Sequence, residues 1–172
     1  MNIDIISEMQ RSAHFLPENL GKVLEVGSMN VHGSPRKVYP HYESYTGIDM
    51  RPGPDVDMVM NAHDLKKHFK ENSFDTVINM NLLEHDDKFW LTVEEVNYVL
   101  KSGGYQIFCV PYFGYPEHNH PDDFWRMSES AVKKVILEGY DTLHLKSIYT
   151  HSRLASGERF YCYIGFAIAR KK

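Results

Sequence analysis

Several acids, histidines and glycines stand where their types and spacing could do chemistry. Glu25, Gly27 and Ser28 fall in VLEVGSMNVHG, residues 23–33, an apolar run that ends in an acid and a glycine-containing turn. Asp49 closes a second apolar run, YTGIDMRPG, residues 45–53, and stands 22 positions beyond Gly27. That offset is close to the roughly 20 residues at which a nucleotide-binding α/β fold sets the acid for its ribose hydroxyls. A bare phosphate or a metal ion needs no such acid, whereas an adenosine ribose does. The ordinary alternatives stay open at this point: Glu25 as a strand-end acid capping its turn, and Asp49 as a turn residue ahead of Pro52.

Two further segments carry groups able to move a proton or hold a metal. One is LLEHDD, with Glu84, His85, Asp86 and Asp87; the other is YPEHNHPDDFWRMS, residues 115–128, with His118, His120, Asp122 and Asp123 crowded ahead of Phe124, Trp125 and Arg126. His120, Asp123 and His85 are the candidates for general base. His118, His120 and an Asp could instead form a metal site, and a His-x-His pair suits zinc or iron better than the oxygen-preferring metals. A third reading is a structural loop pinned by an Arg126–Asp ion pair with Trp125 buried. No metal is assigned on this pattern, and His85 alone is more commonly a packing histidine.

The elements that must position these groups alternate between strand and helix. Apolar residues Ile5, Ile6, Met9, Ala13 and Phe15 predict a leading helix within 1–19. Strands are expected at Val23–Val26, Ser44–Ile48, Asp57–Met60, from Phe74 through FDTVINM, and at Tyr105–Val110. Helices are expected at His63–Glu71, at Lys88–Leu100 with Gly103 and Gly104 as the stop, and from Ser128 to near Gly139. Pro111–Met127 reads as a long ordered loop. Thr142–Thr150 and Arg159–Ala169 are two closing strands with no helix between them, which implies an antiparallel hairpin at one edge of a mostly parallel sheet. Pro35 and Pro40 predict that any helix after the first strand is shortened or lost.

The 172 residues predict one domain, 1–172, with a single core. A hydrophobic fraction of 42% and charged fraction of 24% are those of a folded globular chain. The net charge of −4 and pI near 6.2 argue against a protein that binds by neutralising many phosphates, so nucleic acid is not supported as a partner. The leading segment has no signal-peptide pattern and no apolar run approaches a membrane span. Cys109 and Cys162 sit in apolar runs and fit a reducing, cytoplasmic setting as free thiols.

Strand, glycine turn, acid-ended second strand and terminal hairpin together resemble the class I S-adenosylmethionine-dependent methyltransferases, over roughly residues 20–169. The likeness is strongest to the small single-domain members with a Leu-Glu-His step after the fourth strand. It implies a Rossmann-like α/β fold: a seven-stranded, mostly parallel sheet with helices on both faces and an antiparallel C-terminal hairpin, the fifth and seventh strands adjacent. Cys109 and Cys162 are then on adjoining strands. It also implies S-adenosylmethionine as cofactor. Gly27 would pass under its methionine portion, with Ser28 in the same turn. Glu25 would favour its ammonium and Asp49 would accept both ribose hydroxyls. Met50 would lie against the adenine, Asp64 would meet the adenine amino group with Ala62 and His63 beside it, and Asn79, Met80 and Asn81 would border the ligand. The His-Pro-x-Asp-Phe-Trp-Arg run is similar to one that closes over the cofactor pocket in some small members, which makes 111–127 a lid with Trp125 as its wall.

The pattern has departures. Met29 and Val31 stand where the family commonly has glycines, and Met29 and His32 stand where the GxGxxG spacing of a nicotinamide-dependent reductase needs its second and third glycines. The Asn- or Asp-Pro-Pro-aromatic step of exocyclic base methylation and the Cys of cytosine C5 chemistry are both missing after the fourth strand. The expected activity is methyl transfer to O or N of a small-molecule, sugar or protein acceptor. The alternative is a non-catalytic module of the same fold that senses the cofactor or binds a partner.

Overall fold

The computed structural model describes residues 3–31, 33–118, 122–153 and 157–172. Seven strands form one sheet: β1 (Lys22–Val26), β2 (Ser44–Asp49), β3 (Met58–Val59), β4 (Phe74–Met80), β5 (Leu100–Pro111), β6 (Tyr140–Arg153) and β7 (Arg159–Lys171). Their spatial order is β3-β2-β1-β4-β5-β7-β6. All pairs are parallel except those of β7, which runs antiparallel to both β5 and β6. The Rossmann-like sheet with its antiparallel closing hairpin is therefore as the sequence implied. Cys109 and Cys162 lie on the adjoining β5 and β7, both buried and both free.

Side-chain alternation along β1 divides the core in two. Leu24 and Val26 join Val77, Phe108, Val110 and Ala167 on one face, and Val23 joins Ile78, Ile107, Ile164 and Phe166 on the other. The first face is covered by α3 (Leu65–His68), α4 (Phe89–Val99) and the short α5 (Glu129–Ala131) with the π-helical turn Val132–Ile136 that continues it. The second is covered by α1 (Ile3–Ser12) through Ile5 and Met9, and by Val38 of α2 (Pro35–Val38). Glu8 of α1 is buried, and its carboxylate meets Lys146 Nζ at 2.9 Å, His144 Nε2 at 2.9 Å and Arg11 Nη2 at 3.0 Å, which fastens α1 to β6.

The helix expected over Lys88–Leu100 is present as Phe89–Val99, Leu100 pairing instead with Phe74 as the first residue of β5, and two other helical expectations change. Gly103, at φ +78°, serves the register shift between that pair and Tyr105↔Thr76. The helix expected over His63–Glu71 is a 3-10 turn, Ala62–Asp64, followed by the single turn of α3. The one expected from Ser128 keeps its cap, Ser128 Oγ accepting from the Ala131 N–H at 3.2 Å, but widens at once into the π turn. The four residues of α2 match the shortening expected from the prolines. Among the described residues no helix is long and apolar enough to cross a membrane.

Candidate functional site

From β1 the sheet grows one way through β2 and β3, and from β4 the other way through β5. Ligands bind an open α/β sheet in the crevice beyond the carboxyl ends of its strands at such a reversal. Glu25, Gly27, Ser28, Asn79, Met80 and Asn81 border it, and Asp49 ends the neighbouring strand.

Gly27 makes the turn at φ +80°, a conformation that costs a residue with a Cβ. Its N–H and that of Ser28 both donate to the Ile48 carbonyl, at 2.8 and 2.9 Å, locking the turn to the end of β2. A Cβ built on Gly27 would stand 3.1 Å from Leu82 Cδ1, so within the protein the close neighbour is a side chain arriving from beyond β4. Asp49 Oδ2 accepts from the Met29 N–H at 3.4 Å and Oδ1 from the Arg51 N–H at 3.1 Å. A carboxylate has about four acceptor positions, so Asp49 retains capacity for two hydroxyls. Met50 beside it is 59% exposed and offers an apolar surface to a planar ring.

Glu25 is only 3% exposed. Its Oε2 accepts from the Tyr45 hydroxyl at 2.7 Å, and the Arg36 guanidinium lies 4.4 Å over the Tyr45 ring while pairing with Asp57. Burial pushes the Glu25 carboxyl up to about 7, against the opposing pull of the Tyr45 hydrogen bond and the Arg36 charge. A cation delivered to this acid would restore its ionised form. Ser28 Oγ and both amide atoms of Asn79 are buried without hydrogen-bond partners among the described residues, leaving polar capacity unspent beside the crevice. Donors, acceptors and the glycine turn thus fit an adenosyl amino-acid ligand.

Asp64 is placed differently. Its carboxylate pairs with Lys67 Nζ at 2.7 Å, and that hydrogen bond holds it below the usual carboxylate range. Neighbouring His63 reaches the other way: its Nε2 lies 2.9 Å from both oxygens of Asp86, which also accepts from Thr92 Oγ1 at 2.6 Å. Ala62 packs on the core beneath. The turn after β3 is thereby tied to the turn after β4.

The two proton-transfer segments, far apart in sequence, form one surface. Glu84 and His85 sit in the 3-10 turn Leu83–His85. The Phe124 N–H donates to the Glu84 carbonyl at 2.7 Å, Trp125 Nε1 donates to the Asp86 carbonyl at 2.9 Å, and His85 Nδ1 meets the Asp122 carbonyl at 2.5 Å. Residues 122–127 are therefore clasped onto that turn. Asp123 accepts two hydrogen bonds from Arg126, both at 2.6 Å, and one from the His118 N–H at 2.8 Å. Burial alone would raise this acid, but the guanidinium and the amide outweigh it and bring it to about 2. An acid so engaged is an anchor, and the structure shows the Arg126–Asp123 pinning of the loop. His120 lies outside the described residues.

Residues 24–108 match the family described as the methyltransferase domain. That match spans just under half of the chain, and the fold is that of the S-adenosylmethionine-dependent methyltransferases. No curated protein matches the sequence. Among solved structures, the methyltransferase fold is shared with the YcgJ protein of Bacillus subtilis (15% identity, TM-score 0.70, covering 97% of this chain and 97% of that one). It is shared with a putative methyltransferase of Bacillus halodurans (14%, TM-score 0.71, 96% and 98%). It is shared too with 1,6-didemethyltoxoflavin-N1-methyltransferase of Burkholderia thailandensis, whose structure holds S-adenosylhomocysteine (14%, TM-score 0.68, 97% and 78%).

Four residues that shape the candidate site had no mark in the sequence. Tyr45 reaches Glu25 only because β1 and β2 pair in parallel, Glu25 opposite Gly47. Gly47 is needed because a Cβ there would lie 2.4 Å from the Asp55 carbonyl and 2.7 Å from Ser28 Oγ. Leu82 and the Met29 amide were equally silent. Alternation on β2 could have pointed to Tyr45, but not to its partner.

Proposed function

We propose that this methyltransferase is an active enzyme that transfers a methyl group from S-adenosylmethionine to an oxygen or nitrogen of a small-molecule, sugar or protein acceptor. The observation that carries the reading is the convergence of Glu25, the Gly27 turn and Asp49 at the sheet's reversal, with Glu84 and His85 at the end of the adjacent strand. The sulfonium supplies a methyl group already activated for in-line displacement, so the protein's task is alignment and exclusion of water. Asp49 would hold the ribose, Met50 and Ala62 would flank the adenine, and Glu25 would face the ammonium. Ser28, His63, Asn79, Met80 and Asn81 would line the remaining border; Asp64 would contribute through the turn it ends.

An acceptor that carries a proton must lose it. The Asp122 carbonyl can only accept, so His85 Nδ1 carries a hydrogen, and in the neutral ring it is Nε2 that holds the lone pair. His85 is thus suited to receive that proton, with Asp123 positioning the loop around it through Arg126 and His118.

Calorimetric titration with S-adenosylmethionine tests the cofactor assignment. Asp49→Ala is expected to weaken binding by about 1–3 kcal/mol, the scale of a charge-assisted contact. Equal affinity in the variant would remove Asp49 from the site.

A further inference from the structure

Within the clasp, Glu84, His85 and His118 each turn one ligand-capable atom inward, and among the described residues these atoms all lie within 4.8 Å of one another. We propose that they bind a divalent transition-metal ion of the zinc class.

Three features of the site support this. Glu84 is 0% exposed, and its Oε2 has no hydrogen-bond partner among the described residues, while Oε1 accepts from Asn81 Nδ2 at 3.0 Å. A bare carboxylate oxygen kept wholly from water is costly unless a cation satisfies it. His85 commits Nδ1–H to a backbone carbonyl and faces Glu84 Oε1 with Nε2 at 3.8 Å. That is how metal-ligating histidines are held: one ring nitrogen donates to a carbonyl or carboxylate and the other keeps its lone pair for the ion. His118 is held alongside, its ring 4.9 Å from that of His85 and 4.9 Å from that of Tyr115. Its Nδ1 lies 2.8 Å from Asp123 Oδ2 but out of hydrogen-bond alignment.

Two imidazoles and one carboxylate are a common zinc set with an open fourth position. Ligands on a tetrahedral zinc stand about 3.4 Å apart, given bonds near 2.1 Å. The Glu84–His85 separation of 3.8 Å is near that already, and small side-chain rotations would bring in His118. The set differs from one built on His118, His120 and an Asp, because Asp123 is spent on Arg126 and the acid inside the cluster is Glu84. It lies next to Asn81, just past the end of β4, so an acceptor O–H in the open position would be acidified beside the methyl donor. This consequence rests on the proposed methyl transfer, with His85 then acting through the ion, whereas the ion site itself does not.

The test is to strip the full-length protein with a chelator and titrate Zn²⁺ against a chromophoric competitor, then Co²⁺ with its visible spectrum recorded. One equivalent of Zn²⁺ and an intense, low-symmetry Co²⁺ spectrum are expected. Glu84→Gln and His118→Ala should each weaken binding at least about tenfold, whereas His14→Ala, at an exposed site outside the cluster, should leave it unchanged. Circular dichroism and S-adenosylmethionine titration on the same samples report whether each variant is folded. His85→Gln replaces any variant that is not. Absence of stoichiometric binding, or binding indifferent to the cluster variants, overturns the metal site. Loss of cofactor binding with the ion retained would count against the Asp49 crevice instead.

Discussion

If Glu25 must be ionised to face the cofactor's ammonium, cofactor affinity has to follow its titration. Burial sets its carboxyl at about 7 against an ordinary 4.5. At pH 5.5 that acid is almost wholly protonated, and ionising it costs about 2 kcal/mol; at pH 7 the cost is about 0.4 kcal/mol, at 1.36 kcal/mol per pH unit. The difference, about 1.6 kcal/mol, is an affinity roughly 15-fold tighter at pH 7. A ligand α-ammonium stays charged throughout this window. Calorimetric titration with S-adenosylhomocysteine at several pH values reads it directly, and Glu25→Gln isolates it: the variant should bind weakly with a flat profile. Stability runs the other way. A folded pKa above the unfolded one means that Glu25's own contribution to the stability of the free protein is full below about 4.5 and falls by up to about 3 kcal/mol as pH rises through 7. Glu25→Gln should remove that loss in urea unfolding. An affinity flat from pH 5.5 to 7, or a slope that survives in Glu25→Gln, would refute the assignment of Glu25 to the ammonium.

Two further perturbations probe the scaffold. Arg126→Ala strips two hydrogen bonds from the enclosed Asp123 carboxylate and frees the Tyr115 and Pro116 carbonyls, which should destabilise the protein by about 3 kcal/mol. The thermal midpoint would fall by roughly 6–12 °C, with Arg126→Lys recovering only part. An unchanged midpoint would show that the ion pair does not hold the loop. Because Asp123 is depressed to about 2, its contribution is present above pH 4 and lost as pH falls toward 2, so wild type and Arg126→Ala should converge in acid. Gly47→Ala forces a Cβ to within 2.4 Å of the Asp55 carbonyl and 2.7 Å of Ser28 Oγ; a cost of about 1–3 kcal/mol and weaker cofactor binding are expected. Wild-type behaviour in both assays would mean that the β1–β2 turn accommodates the methyl group freely.

The alternation of strand and helix, the acid at the end of β1, the acid at the end of β2 and the closing hairpin were legible without coordinates. They follow from local rules: apolar runs of strand length, turn residues between them, and two final strands with no helix to carry a crossover; the adjacency of β5 and β7 came only from the family resemblance. Helix lengths were not legible. Leu100 is the last residue of the helical apolar stripe yet begins β5, because it pairs with Phe74. The sequence also placed LLEHDD and YPEHNHPDDFWRMS after different strands, as two separate candidates. Only the tertiary structure made them one, since β4 and β5 are neighbours in the sheet and the Phe124 amide, the Trp125 indole and His85 close the gap with hydrogen bonds between residues 37–40 positions apart. Residue types alone showed that acids and imidazoles were at hand. Which acid is spent on an arginine and which keeps an unpartnered oxygen is a matter of burial and partners, and that chose Asp123 as the anchor and left Glu84 beside two histidines.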